Sequence, residues 1–95
     1  MVLEVAQVAV LPGHEGDFEA ALREAADTVL PRSAGFLGFE AHGWCVERPL
    51  TYLFTIRWET LEHHTEGFRG SDLFAEWRAL IGPHFDGAPH VEHFA

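Results

Sequence analysis

The residues best equipped for chemistry crowd between Trp58 and Arg78, in the run W-E-T-L-E-H-H-T-E-G-F-R-G-S-D-L-F-A-E-W-R. Two of the three tryptophans, the adjacent pair His63-His64, and the cations Arg69 and Arg78 stand there. An imidazole titrates near neutral pH, so it can take or give a proton during a reaction. A guanidinium can stabilise an anion as it forms. Trp58, Trp77, Phe54, Phe68 and Phe74 could stack on a planar aromatic ligand. At helical spacing, Leu61, His64, Thr65 and Phe68 share one face, so His64 points inward and His63 turns away with Glu66. The plain alternative for His64 is a buried histidine satisfied by a backbone carbonyl. The plain alternative for the aromatics is ordinary core, and for the arginines a solvated face shared with Glu62 and Glu76.

Other chemistries lack support. The chain has no H-E-x-x-H, no pair of histidines spaced along one helix face, no G-x-S-x-G and no phosphate-cradling glycine loop. Metal ligation at His63 or His64 would need a distant partner such as Glu92 or His93, so no metal site is expected. The one cysteine, Cys45, cannot form an internal disulfide. His93 alternates with Val91 along the last apolar run and can face the helices or a second subunit.

Composition narrows the partners. Six basic against fifteen acidic residues give a formal charge of −9, the wrong sign for nucleic acid or an anionic membrane. The start, M-V-L-E-V-A-Q-V-A-V, has neither the basic opening of a signal peptide nor the length to span a bilayer, so a cytoplasmic protein is expected. Hydrophobic residues make up 47% and aromatic residues 13% of 95 residues. A single domain that small leaves part of this apolar surface uncovered, which favours an oligomer.

The elements that must position these residues can be read in order. Residues 2–11 form a largely buried strand broken only by Glu4 and Gln7, and Pro12-Gly13 turns the chain. From about Gly16 to Leu30 the apolar residues Phe18, Ala21, Leu22, Ala25, Val29 and Leu30 recur at helical spacing, with Pro31 at the far end. Strands from about Phe36 to Glu47 and from about Leu50 to Glu59 flank Arg48-Pro49. A tight turn there sets Glu40 opposite Arg57, His42 opposite Thr55 and Trp44 opposite Leu53. One face then collects Glu40, His42, Trp44, Thr55 and Arg57. The other collects Phe39, Ala41, Gly43, Cys45, Tyr52, Phe54, Ile56 and Trp58. Thr60 can cap a short helix of about residues 61–68, and Ser71 a second with Leu73, Phe74, Trp77, Leu80 and Ile81 on its apolar side. Gly82-Pro83 ends it, and P-H-V-E-H-F is a last short strand.

This β-α-β-β-α-β order predicts an α+β, ferredoxin-like domain over residues 1–95, a four-stranded antiparallel sheet with helices on one face. The uncovered face predicts a homodimer packed sheet to sheet.

The pattern W-E-T-x-E-x-H-T-x-x-F-R-x-S-x-x-F-x-x-W-R, with P-G before the first helix and P-x-V-E-H near the end, resembles the antibiotic biosynthesis monooxygenase (ABM) family. The resemblance runs from Val2 to Phe94 and implies a dimeric α+β barrel. Some members oxidise phenolic polyketides or quinols with dioxygen as co-substrate and without cofactor; others degrade haem. The haem degraders carry an Asn on the first strand and then a Trp and a His on the later helices. Here Ala6, Gly67 or Phe68, and Trp77 or Arg78 hold those places, so haem degradation is not expected. Toward the oxygenases, Trp58 matches a strand-end Trp and Arg78 a last-helix Arg, whereas Phe54 replaces an Asn and His64 a Tyr. The resemblance thus implies a small aromatic substrate against Trp58, Phe68 and Trp77, deprotonated with the help of His64 and steadied by Arg69 or Arg78. The alternative is a non-catalytic barrel that binds a small aromatic ligand.

Overall fold

The computed structural model describes residues Met1–Ala95. Strand β1 spans Val2–Ala9, helix α1 Glu15–Thr28, β2 Phe36–Trp44, β3 Thr51–Trp58, helix α2 Asp72–Ile81 and β4 His90–Phe94. The strands form one antiparallel sheet in the order β2-β3-β1-β4, which is the expected ferredoxin-like arrangement. Alternation decides which side is covered. Ala6, Val8 and Val10 of the first segment and Tyr52, Phe54, Ile56 and Trp58 of β3 point under the helices and are buried. Phe18, Leu22, Ala25, Ala26 and Val29 from α1, with Trp77 and Ile81 from α2, close the core from above. No helix is long and apolar enough to cross a membrane.

The β2–β3 hairpin departs from the expected register. Its connection runs from Cys45 to Leu50, closed by Cys45 N–H to Thr51 C=O at 2.7 Å, so Arg48-Pro49 is not a tight turn. Glu40 therefore sits opposite Thr55 and Gly38 opposite Arg57. The shift is two residues, so the face is kept, and the Glu40–Arg57 ion pair forms diagonally at 3.7 Å. Beyond Ala41 a bulge breaks the parity. Gly43 takes φ +90° there, and Trp44 lands opposite Tyr52 on the helix side rather than on the mixed face. Cys45 likewise leaves the apolar face and sits in the loop, its Sγ 3.6 Å from Glu47 Oε1.

The helix ends also differ from the sequence reading. Helix α1 stops at Thr28, and Pro31 lies inside a single 3-10 turn, Leu30–Arg32, at a first-turn position where no N–H is needed. Gly82-Pro83 begin another such turn, Gly82–His84, instead of ending the chain's helical path. Ser71 does precede α2, but its hydroxyl donates back to the Phe68 carbonyl at 2.7 Å.

The segment after β3 carries the histidines. Thr60 Oγ1 accepts from the His63 N–H at 3.2 Å, as a helix cap should. The helix then widens to π geometry over His63–Phe68, with Arg69 N–H reaching the His64 carbonyl at 3.1 Å. Such single π-turns recur at functional sites because they re-aim a side chain. Gly35, at φ +83°, allows this turn to dock, since a Cβ there would run into the His63 ring. Gly35→Ala combines that clash with a left-handed backbone and should destabilise the protein by about 1–3 kcal/mol. Urea denaturation monitored by circular dichroism would measure it.

Candidate functional site

Between α2, the π-turn and the sheet lies a cavity of about 350 Å³. That size suits a small organic ligand, for which pockets of roughly 300–1,000 Å³ are usual. Phe54, Ile56, Phe68, Phe74, Trp77, Ile81, Phe85 and Val91 give it aromatic and aliphatic walls, and Glu4, His64, Arg69 and Arg78 supply the polar groups. The cavity follows β1 from Glu4 to Val8, with Glu4 and His64 among its lining residues and Arg78, Ile81 and Phe85 also in its wall. The Arg78 guanidinium stands 5.8 Å from the ring centres of both Phe74 and Phe85.

The structure gathers His64, Arg69, Arg78, Phe54, Phe68, Phe74 and Trp77 around this one cavity. Trp58 and His93 do not line it. Trp58 is fully buried beneath His64, its ring stacked on the imidazole at 5.3 Å and 14°. His93, on β4, reaches His64 from behind, and His64 Nδ1 and His93 Nε2 share a hydrogen bond of 2.7 Å.

Sequence reasoning passed over the residue that ties these together. Glu4 is buried, accepts a hydrogen bond from Trp58 Nε1–H on Oε1 at 3.0 Å, and presents the same oxygen to His64 Nε2 at 3.3 Å. Neither contact uses Oε2. The signal was available: Glu4 has the parity of Ala6, Val8 and Val10, and an acid at an inward strand position needs a reason.

Burial pushes the Glu4 carboxyl up to about 7, against the downward pull of the Trp58 hydrogen bond and the Arg69 charge. Burial first, then Arg69 and His93, push His64 down to about 4. Burial and Arg69 lower His93 in the same way. His64 is therefore neutral at pH 7, and its contact with Glu4 is not an ion pair. A buried carboxyl that titrates near neutrality is suited to general-base work, and a histidine held near 4 is a weak base but a good hydrogen-bond relay.

These shifts act oppositely on stability. Glu4, raised from 4.5 to about 7, contributes stability that is complete below pH 4.5 and is lost as pH rises through 7. His64, lowered from 6.5 to about 4, contributes stability that is complete above pH 6.5 and is lost as pH falls through 4. Each is worth about 3 kcal/mol, so between pH 4.5 and 6.5 they offset. Glu4→Gln removes one arm. Its stability should climb by a few kcal/mol across that window and no longer fall through pH 7, which urea melts at half-unit pH steps would show.

No group of three or more His, Cys, Asp or Glu side chains is placed to hold a metal ion. The second histidine pair, His14 and His84, joins the start of α1 to the end of α2 through Nδ1 atoms 3.1 Å apart, away from the cavity.

A single sheet under helices, with an aromatic cavity and a buried titratable carboxyl between them, defines an α+β protein of the ferredoxin-like kind. Comparison with known proteins makes the class specific. Residues 1–80 match the model of the antibiotic biosynthesis monooxygenase family, ABM. The uncharacterized protein YczJ of Bacillus subtilis (strain 168) is 44% identical over 96 residues, covering 99% of this chain and 97% of that one. A candidate antibiotic biosynthesis monooxygenase from Bordetella bronchiseptica, solved by crystallography, is 36% identical, with a TM-score of 0.93 over 99% of this chain and 94% of its own. The chain belongs to the ABM family. SnoaB, a cofactor-independent oxygenase from Streptomyces nogalater, shares the fold at a TM-score of 0.78 and 15% identity, covering 99% of this chain and 90% of its own.

Proposed function

We propose that this protein is a cofactor-independent monooxygenase acting on a small phenolic, quinol or polyketide-type aromatic, with dioxygen as co-substrate. The observation that carries the reading is the Glu4–His64 pair in the wall of an aromatic cavity. A phenol entering along β1 stacks between Phe54, Phe68 and Trp77 and brings its hydroxyl to Glu4. The carboxylate takes the proton, and the electron-rich anion reduces dioxygen directly. For an anthrone-type substrate, a CH2 becomes C=O, the second oxygen atom leaves as water with the two displaced hydrogens, and the substrate supplies all four electrons. The protein contributes orientation, a dry cavity and the positive field of Arg69 and Arg78 on the developing anion. The base assigned at sequence level to His64 passes in this reading to Glu4. His64 positions it together with Trp58.

Membership of a family that includes oxygenase-named proteins supports the reaction class. Oxygen uptake with a panel of naphthols, anthrones and quinols is the test. Turnover by the wild type that falls sharply in His64→Ala supports it. Saturable binding by native mass spectrometry with no oxygen use favours the non-catalytic binder instead, a reading suggested by Phe54 and His64 at positions where the resembling oxygenases carry Asn and Tyr.

The protein acts, in the same proposal, as a cytoplasmic homodimer. Leu3, Val5, Leu53 and Thr55 lie on the sheet face that no helix covers and are only half-buried, beside the Glu40–Arg57 pair. A second copy packed on this face removes that apolar surface from water. Light scattering should give twice the 10.6 kDa chain mass at micromolar concentration, and a monomer there contradicts the dimer.

A further inference from the structure

We propose that His64 and His93 form a proton wire that carries the proton of buried Glu4 to solvent at the edge of the sheet, with His93 as its outer end. The inference rests on the reading of Glu4 as the base and adds the route by which that base is readied. Three observations support it. The two nitrogens of His64 face different partners: Nε2 lies 3.3 Å from Glu4 Oε1, and Nδ1 shares the 2.7 Å hydrogen bond with His93 Nε2. Stacking on Trp58 holds the His64 ring in place, with the Phe68 ring centre 6.2 Å away. His93 sits on β4, an edge strand, and is only part-buried, and its Nδ1, which has no protein hydrogen-bond partner, is not sealed from solvent.

The need for such a route follows from the cavity. In the empty protein, Glu4 meets water through the cavity itself. An aromatic ligand that fills the cavity closes that path, and Oε1 is then the carboxyl's remaining contact with the outside. If Glu4 is protonated when the ligand arrives, the wire discharges it. The Glu4 proton moves from Oε1 to His64 Nε2, the His64 Nδ1 proton moves to His93 Nε2, and the His93 Nδ1 proton leaves to water. The products are the Glu4 carboxylate, His64 protonated on Nε2, His93 protonated on Nε2, and one hydronium ion. Neither imidazole is charged before or after. That matters because burial and Arg69 oppose imidazolium at both positions. The charged and titratable groups facing Glu4 are His64 from the π-turn, His93 from β4 and Arg69 just after the π-turn, with the neutral Trp58 donor from β3. The 3.3 Å contact is not aligned as a hydrogen bond in the empty protein, and such contacts commonly tighten when ligand binds.

The signature is a reversal of tautomers without a change of charge. In ligand-free protein labelled with 15N-histidine, nuclear magnetic resonance should find His64 and His93 both protonated on Nδ1 when Glu4 is protonated, and both on Nε2 when it is ionised. The switch should follow the Glu4 carboxyl 13C shift with one shared midpoint. Fixed tautomers across that midpoint, or a doubly protonated His64 within it, overturn the wire. As a second measurement, proton release on mixing with a phenol below pH 7 should slow by about 10²-fold in His93→Ala and recover with added imidazole. Release that is unchanged in His93→Ala also overturns it. The resonance result does not depend on turnover. Full oxygenase activity in Glu4→Gln with the tautomer switch intact in the wild type would sink the base assignment and leave the wire, and the converse result would do the opposite.

Discussion

Glutamine in place of Glu4 is expected to lower kcat/KM for phenol oxidation by about 10²–10⁴-fold, the usual worth of a positioned general base. The substitution keeps shape and volume. An amide oxygen can still accept from Trp58 Nε1–H, now 3.0 Å from Glu4 Oε1. What it cannot do is accept the substrate proton. Binding of the aromatic should survive, because the walls of Phe54, Phe68, Phe74 and Trp77 are untouched. The loss should therefore fall on kcat rather than on KM. The same variant avoids the cost of ionising a buried acid, so it should be at least as stable as the wild type at pH 8. Lost activity with preserved or improved stability marks a residue kept for chemistry rather than for folding.

The largest stability effect should come from Trp58. Its side chain is fully buried, packs on His64 and Phe68, and meets Phe36 edge-on at 6.1 Å. Trp58→Ala should cost about 3–5 kcal/mol from the lost contacts and the cavity left behind. It also strips Glu4 of its donor. A domain of this size has about 5–15 kcal/mol in total, so the alanine variant should be partly unfolded at 37 °C. Trp58→Phe separates the two roles. It keeps most of the packing, loses the N–H, and should cost about 1–3 kcal/mol. Because that hydrogen bond holds the Glu4 carboxyl down, its loss should move the carboxyl above 7 and carry the alkaline onset of activity with it. Thermal melts and pH profiles on the two variants would check both effects.

Hydrophobic periodicity made most of the fold legible. The alternation of Ala6, Val8 and Val10, and of Tyr52, Phe54, Ile56 and Trp58, assigned the covered face without ambiguity. The hairpin departed in two ways: its connection is longer than a tight turn, which moves the register by two residues, and parity carries no information about the bulge beyond Ala41. Gly43 takes a positive φ at that bulge, and a glycine in a strand is weak evidence by itself. Trp44 was thereby placed on the wrong face, and Cys45 on the apolar face rather than in the loop. At the site, helical spacing found His64 and the aromatics. It could not find Glu4, because an acid between valines reads as an interruption until its strand partners are known. Nor could it link His93 to His64. That contact crosses 29 residues and depends on β4 pairing with β1, which places His93 opposite Glu4.

The pH dependence of kcat/KM for an oxidised phenol, measured in the wild type and in Glu4→Gln, tests most directly the claim that a buried carboxylate starts the reaction. The wild type should rise with a single ionisation at about 7, the value burial gives Glu4. The glutamine variant should show a low, flat profile through that range. A wild-type profile that turns instead at about 4, where His64 titrates, or a Glu4→Gln profile that keeps both its height and its midpoint near 7, would contradict the assignment.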